Sequence, residues 1–194
     1  GATFYQFAST VIIDNIITIF GEGEESKLRW NQNVPGIVTN YVTSRRTSIH
    51  DIRIGTSSAS SPSGSPLGSN WNVAQYGIEA RDIIYLNNVT FAYWAGLGAL
   101  YMYGDATHPT NPTNVNNSII SYCTFAQNRV HGLYLQGPDA NAVEVIKIDS
   151  VANGGAGVRD KSFLGNHYLH GHSASNGSPE ISWQRGLVKV GTDV

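Results

Sequence analysis

Apolar and polar positions alternate in the most patterned parts of the chain. In "GALYMYGD" (98–105), Leu100 and Met102 alternate with Tyr101 and Tyr103. In "GLYLQGPD" (132–139), Leu133 and Leu135 alternate with Tyr134 and Gln136. A period of two predicts strands with their aliphatic side chains on one face and the others on the opposite face. No window of a dozen residues carries the 3.6-residue apolar period of a helix. Glycine, Asn, Ser and Thr are plentiful while Glu, Lys, Gln and Met are scarce, so the pattern predicts an all-β protein.

These strands repeat. Glycine-led strands begin at Gly36, Gly77, Gly98, Gly132, Gly157 and Gly186, at intervals of 41, 21, 34, 25 and 29 residues. A second strand type precedes most of them: "IITIF", "SIHDIRI", "IIYLNNVTF", "SIISYCTF" and "VEVIKIDSV". Two strand types alternating with loops of variable length, and no helix between them, predict a parallel β-helix. Six coils spaced by ~4.8 Å would stack to about 29 Å. A Greek-key sandwich would favour hairpin signals such as Asn-Gly between neighbouring strands. The only Asn-Gly pairs are 153–154 and 176–177.

Aligning "LYMYG" with "LYLQG" stacks Tyr101 on Tyr134 and Tyr103 on Gln136. The same outer columns extend to Glu79 and Arg81 on one side and to Arg159 and Lys161 on the other. Tyrosines, amides and charges on a solvent-facing sheet suit an oligosaccharide, because rings cover apolar sugar faces and polar groups bind hydroxyls. Stacked like residues also stabilise neighbouring coils without any ligand. "GDATHPTNPTNVNN" (104–117) and "GPDANA" (137–142) both follow a glycine-led strand, so they are expected along one edge of the stack, where long loops build binding faces. The Ser/Pro/Gly-rich stretch 55–75 reads as an insertion from one coil, since the same repeat lies on both sides of it. The chain is expected to be a single domain over 1–194.

The opening "TVIIDNIITIFGEGEESKLRWNQNVPGIVTN" resembles the early coils of the pectate-lyase-like, right-handed parallel β-helix superfamily, in which a strand leads into Gly-x-Gly and a second short strand. The resemblance covers nearly the whole chain and specifies architecture. It implies a right-handed β-helix of about six coils and a polysaccharide as the substrate or ligand class. Lyases of that superfamily use calcium-binding acids with an Arg or Lys base, and its polygalacturonase-like hydrolases carry Asn-Thr-Asp, paired Asp and Gly-His-Gly. None of these sets is complete here. "HGHS" (170–173) lacks the second glycine, and no Asp-Asp pair occurs.

Composition removes other classes. Only 13% of residues are charged and the net charge is -2, which leaves no basic footprint for a nucleic acid. No apolar run approaches the ~20 residues of a membrane-crossing helix; Asp14 and Asn15 interrupt the most apolar stretch. The single cysteine, Cys123, sits in a strand-like run and reads as a packed thiol. His167, His170 and His172 fall close together, but only His170 and His172 are expected on one strand face, and zinc would need a third ligand. Asp105 and Asp139 each follow a stacked strand and are the candidates for a Ca2+ site or an acid–base pair, with Asx turns as the competing explanation. Trp94, at a turn between strand types, and Trp71, in the long insertion, are candidate sugar platforms. Asn88, Asn116 and Asn176 match the glycosylation pattern.

The reading that follows is a non-catalytic carbohydrate-binding module. The chain is similar to the β-helix modules attached to bacterial xylanases, which implies xylan as the leading ligand, a covalently linked glycoside hydrolase domain and an extracellular location. The alternatives are a β-helix lyase, hydrolase or epimerase, and a structural or adhesive solenoid such as part of a tailspike. The expected site comprises Tyr101, Tyr103, Tyr134, Gln136, Trp94, Trp71, Arg159, Glu79, Arg81, Asp105 and Asp139, with no resident cofactor unless Ca2+ binds at Asp105 and Asp139.

Overall fold

The computed structural model describes residues 4–30, 34–41, 46–56, 76–163, 165–177 and 187–189. Of the stretch 55–75 expected as an insertion, Gly55 and Thr56 end the strand Thr47–Thr56, and residues 57–75, with Trp71, lie outside the described residues. The described residues contain strands and no helix, and therefore no helix able to cross a membrane.

The chain passes back and forth between two sheets. One has seven strands, running in the order Val11–Ile13, Ile37–Thr39, Ile78–Ala80, Gly98–Tyr103, His131–Gly137, Val158–Ser162 and Leu187–Lys189. The other, among the described residues, has eleven, formed by Phe4–Phe7 and by the segments between the strands of the first sheet. Every ladder is parallel, and each strand pairs with its counterpart one coil away. This is a parallel β-helix; a sandwich would need antiparallel ladders. The first strand of the seven has no leading glycine, so the repeat of six glycine-led strands omits it.

Inside the coil, aliphatic residues stack in register. Ile37, Ile78, Leu100, Leu133 and Val158 form one column, and Ile49, Leu86, Ile120 and Val145 form the facing one. Phe91 and Phe125 stack with centroids 5.1 Å apart and planes inclined by 13°. Each of these residues is buried, and fully burying one such side chain contributes about 1.5–3 kcal/mol.

The leading glycines follow from how closely the coils approach. A Cβ on Gly132 would lie 2.6 Å from the carbonyl oxygen of Gly157, and one on Gly77 would lie 2.8 Å from that of Ala99. No side chain fits between two backbones at that spacing. The corners of the coil are also stacked. Asp51, Asn88, Tyr122, Lys147 and His170 all adopt left-handed backbone at the bend that divides each coil's contribution to the larger sheet.

A second corner carries an internal amide ladder. Nδ2 of Asn128 donates to Oδ1 of Asn153, and Nδ2 of Asn153 donates to Oδ1 of Asn176, each at 2.8 Å. At the top, the backbone N–H of Trp94 donates to Oδ1 of Asn128 at 3.0 Å. The residues just before these four, Tyr93, Gln127, Ala152 and Ser175, have positive φ, and the indole and three amides that follow them are buried. Asn153 and Asn176 are therefore corner residues and not hairpin turns. Asn176 is buried with its amide nitrogen donating to Ser150 O and Ser173 Oγ, so this side chain is not presented for glycosylation.

Candidate functional site: the outer face of the seven-stranded sheet

Strand register assembles the face. Glu79, Tyr101, Tyr134 and Arg159 occupy one outward column. Tyr103, Gln136 and Lys161 occupy the next. The expected pairs, Tyr101 with Tyr134 and Tyr103 with Gln136, are both present. Arg81 follows the end of its strand and turns back, so that Nε and Nη2 each lie 2.8 Å from Glu79 Oε1.

The tyrosines form a ring ladder. Tyr76 and Tyr101 stack at 4.8 Å with planes 21° apart, Tyr101 and Tyr103 lie 6.4 Å apart at 17°, and Tyr101 and Tyr134 lie 5.5 Å apart at 36°. Coil spacing is close to the stacking distance of aromatic rings, which explains why rings in register face one another. The faces between stacked rings are thereby covered, and the ladder contributes ring edges and hydroxyls. Tyr101 Oη donates to Gln136 Oε1 at 3.4 Å. Burial, followed by the neighbouring Tyr76 and Tyr134, holds the Tyr101 phenol well above its ordinary value; burial likewise raises Tyr76, Tyr103 and Tyr134. All four remain neutral hydroxyls that donate and accept.

Arg159 is the last polar member of the first column, which continues in register to Val188. Its guanidinium carbon lies 5.7 Å from the centre of the Tyr134 ring, and Nη1 lies 3.0 Å from His131 Nε2. His131 is buried at the start of its strand, with Nδ1 2.8 Å from the backbone N–H of Ala156. Burial, then the charge of Arg159, pushes its pKa down to about 4, so the imidazole is neutral.

The loops flank the face along one edge, as their positions after equivalent strands predict. Gly104 N donates to Gln136 O at 3.0 Å, and Asp139 N donates to Gly104 O at 2.9 Å. Ala106 N donates to Asp139 Oδ2 at 2.7 Å, while Thr107 donates to Asp105 Oδ1 from N at 3.2 Å and from Oγ1 at 2.8 Å. The Thr107 hydroxyl is the main reason that the Asp105 pKa lies below its ordinary value. The two loops touch: Asp105 accepts from Thr107 in the manner of an Asx turn, while the Asp139 carboxylate accepts across the loops from Ala106. Among the described residues, no group of three or more His, Cys, Asp or Glu side chains is placed to hold a metal ion.

Against family models, curated proteins and solved structures, the chain gives no match.

Three expected features are corrected. Trp94 is 0% exposed: Nε1 donates to Ile54 O at 3.1 Å and the ring packs 5.8 Å from Trp30, so it has no surface to offer a sugar. Tyr134 points outward but is only 5% exposed, enclosed by Tyr101, His131 and Arg159, and is not an open platform. His170 and His172 do not share a strand, because the left-handed bend at His170 separates His167–Leu169 from His172–Ala174; His172 instead meets Asp149 on the neighbouring coil at 2.7 Å. Sequence reasoning also missed two members of the face. Tyr76 directly precedes the glycine of one strand and His131 that of another, a position whose stacking on the next coil is visible only once register is known.

Proposed function

We propose that this solenoid is a non-catalytic carbohydrate-binding module that takes a polysaccharide chain along the outer face of the seven-stranded sheet. The observation that carries the reading is the tyrosine ladder bordered by Gln136, Arg159 and Lys161, with two loops along one edge. Neutral phenols, an amide and cations repeated at ~4.8 Å offer regularly spaced hydrogen-bonding groups to a polymer of regularly spaced hydroxyls. Contact is through ring edges, hydroxyls and polar neighbours more than through open ring faces. Xylan is the leading ligand, and an attached glycan-degrading domain in the extracellular space is the leading context.

The carboxylates beside the face support binding without cleavage. A general acid needs a carboxyl held protonated near neutral pH. Asp105 is shifted the opposite way, Asp139 accepts a backbone N–H, and Glu79 is paired with Arg81. An open sheet face encloses only part of each sugar, so the expected Kd is about 10 μM to 1 mM. Affinity of that order is sufficient when tethering raises the local concentration of a linked enzyme.

Affinity electrophoresis through gels containing xylan, pectin, alginate or β-glucan tests the reading, with product release assayed in parallel. Retardation by one of these polymers, reduced in Tyr103→Ala, is the expected result. Accumulation of reducing or unsaturated ends that Asp105→Ala or Asp139→Ala abolishes would establish an enzyme instead.

A further inference from the structure

The two ends of this face differ in charge balance. At one end the Arg81 guanidinium is matched by Glu79. At the other, Arg159 and Lys161 project from alternate positions of one strand, roughly 7 Å apart by strand geometry. Among the described residues neither has a carboxylate within ion-pair distance. The chain has more acidic than basic residues, and yet no carboxylate among the described residues pairs with these two adjacent cations beside the aromatic ladder.

Arg159 also has an unmet hydrogen-bonding requirement. Its Nε is buried and has no partner. Buried donors are nearly always satisfied in native proteins, and one that is not points to a missing acceptor. The contact with His131 repeats the point. Both neighbours of that imidazole, Arg159 Nη1 and the Ala156 N–H, are donors, and a neutral imidazole has one acceptor nitrogen. One of the two contacts therefore sets donor against donor. An oxyanion in front of the guanidinium would accept from Nη1 and Nη2 together, and would give Nη1 an acceptor in place of the His131 N–H. The guanidinium fork, stacked on Tyr134, is the geometry that takes a planar or tetrahedral oxyanion through two parallel N–H donors.

We infer that the face selects an anionic glycan, with Arg159 receiving the carboxylate or sulfate of one sugar and Lys161 supporting the same charge from the adjacent column. The inference rests on the reading of this face as the glycan site and names the chemical class of its ligand. Among xylans it selects those bearing uronate side groups over neutral ones. Glu79 and its paired Arg81 add no net charge at the far end, so the preference is localised to one sugar position and does not extend along the chain.

Matched polymer pairs test it. Glucuronoxylan, polygalacturonate and alginate are each compared with their carboxyl-reduced forms, and a sulfated galactan with its desulfated form, in calorimetry at low and high salt. The expected result is at least a tenfold preference for one acidic member over its neutral form, falling several-fold as salt rises. The pair that shows it tells carboxylate from sulfate. Arg159→Gln should bring the acidic-to-neutral ratio close to one. Arg159→Lys, which keeps the charge but loses the fork, should retain only part of it. The salt dependence of the wild-type protein needs no variant and stands even where Arg159→Gln fails to fold. Equal affinity for the two members of every pair that binds overturns the anionic preference and leaves glycan binding in place. Binding of no polymer overturns both readings.

Discussion

Asn153 stands in a chain of amides: its Nδ2 donates to Asn176 Oδ1 at 2.8 Å while its Oδ1 accepts from Asn128 Nδ2 at 2.8 Å. The same Oδ1 accepts from the backbone N–H of Asn128 at 3.1 Å, and Nδ2 also reaches Phe125 O and Ser150 Oγ at 3.0 Å. Both neighbours in the ladder are buried. Asn153→Ala therefore orphans buried groups on two coils and should destabilise the protein by about 2–4 kcal/mol. Urea unfolding checks this; a loss below about 1 kcal/mol would mean that water replaces the amide.

The tyrosine ladder separates two roles that look alike on paper. Tyr134 is enclosed, so Tyr134→Ala should cost about 2–4 kcal/mol of stability and lower Tm by several degrees. Tyr103 is half-buried at the loop edge, with Oη 3.4 Å from Asp105 Oδ2. Tyr103→Ala should leave Tm nearly unchanged and weaken glycan binding by about three- to tenfold, since one such contact contributes roughly 1 kcal/mol. Melting curves and calorimetry on the two variants distinguish the roles.

Register was legible because "LYMYG" and "LYLQG" share a trailing glycine, and aligning the two strands on Gly104 and Gly137 places Tyr101 over Tyr134; the leading glycines are one residue out of step, with His131 opposite Gly98. Burial was not. Whether an outward side chain such as Tyr134 is open depends on what its neighbours on adjacent coils do: Arg159, expected in the same column, lies over the ring, and His131 comes from a position that alternation does not place beside it. Trp94 shows the same limit at a corner, where a single sequence does not say whether a side chain turns in or out. Asn153-Gly154 and Asn176-Gly177 look like turn signals, and they are turns, but ones that send the amide into the core.

Acid should weaken the fold through His131. Its folded pKa is pushed down to about 4 by burial and by Arg159, below the ordinary 6.5. The unfolded state then binds more protons between those values, so the stability that depends on neutral His131 is present above pH 6.5 and is lost as pH falls toward 4. Asp105, held below the ordinary carboxylate range by Thr107, adds its own loss at lower pH still. Urea midpoints measured from pH 7.5 to 4.5 should fall in the wild type and fall less in His131→Asn. Parallel slopes in the two proteins would place the titration elsewhere.

Cys123 should be silent in the native state. It is fully buried, Sγ donates to Ser121 O at 3.3 Å, and burial pushes its pKa up to about 12. Thiolate is the reactive form, so a thiol reagent at pH 8 should label the protein only after denaturant is added. Rapid labelling of the folded protein would show that the coil opens at this strand.

The bend occupied by Asp51, Asn88, Tyr122, Lys147 and His170 is the same turn made by an acid, an amide, a phenol, an amine and an imidazole. Asp, Asn and His tolerate left-handed backbone better than most residues, but Tyr122 and Lys147 adopt the same turn although nothing in their side chains favours it. The winding is therefore imposed by the stacked ladders on either side, and the corner residue is released from specifying it. Outer chemistry along that ridge and the path of the chain are inherited separately: mutation can rewrite one, coil by coil, while the other stays as it is.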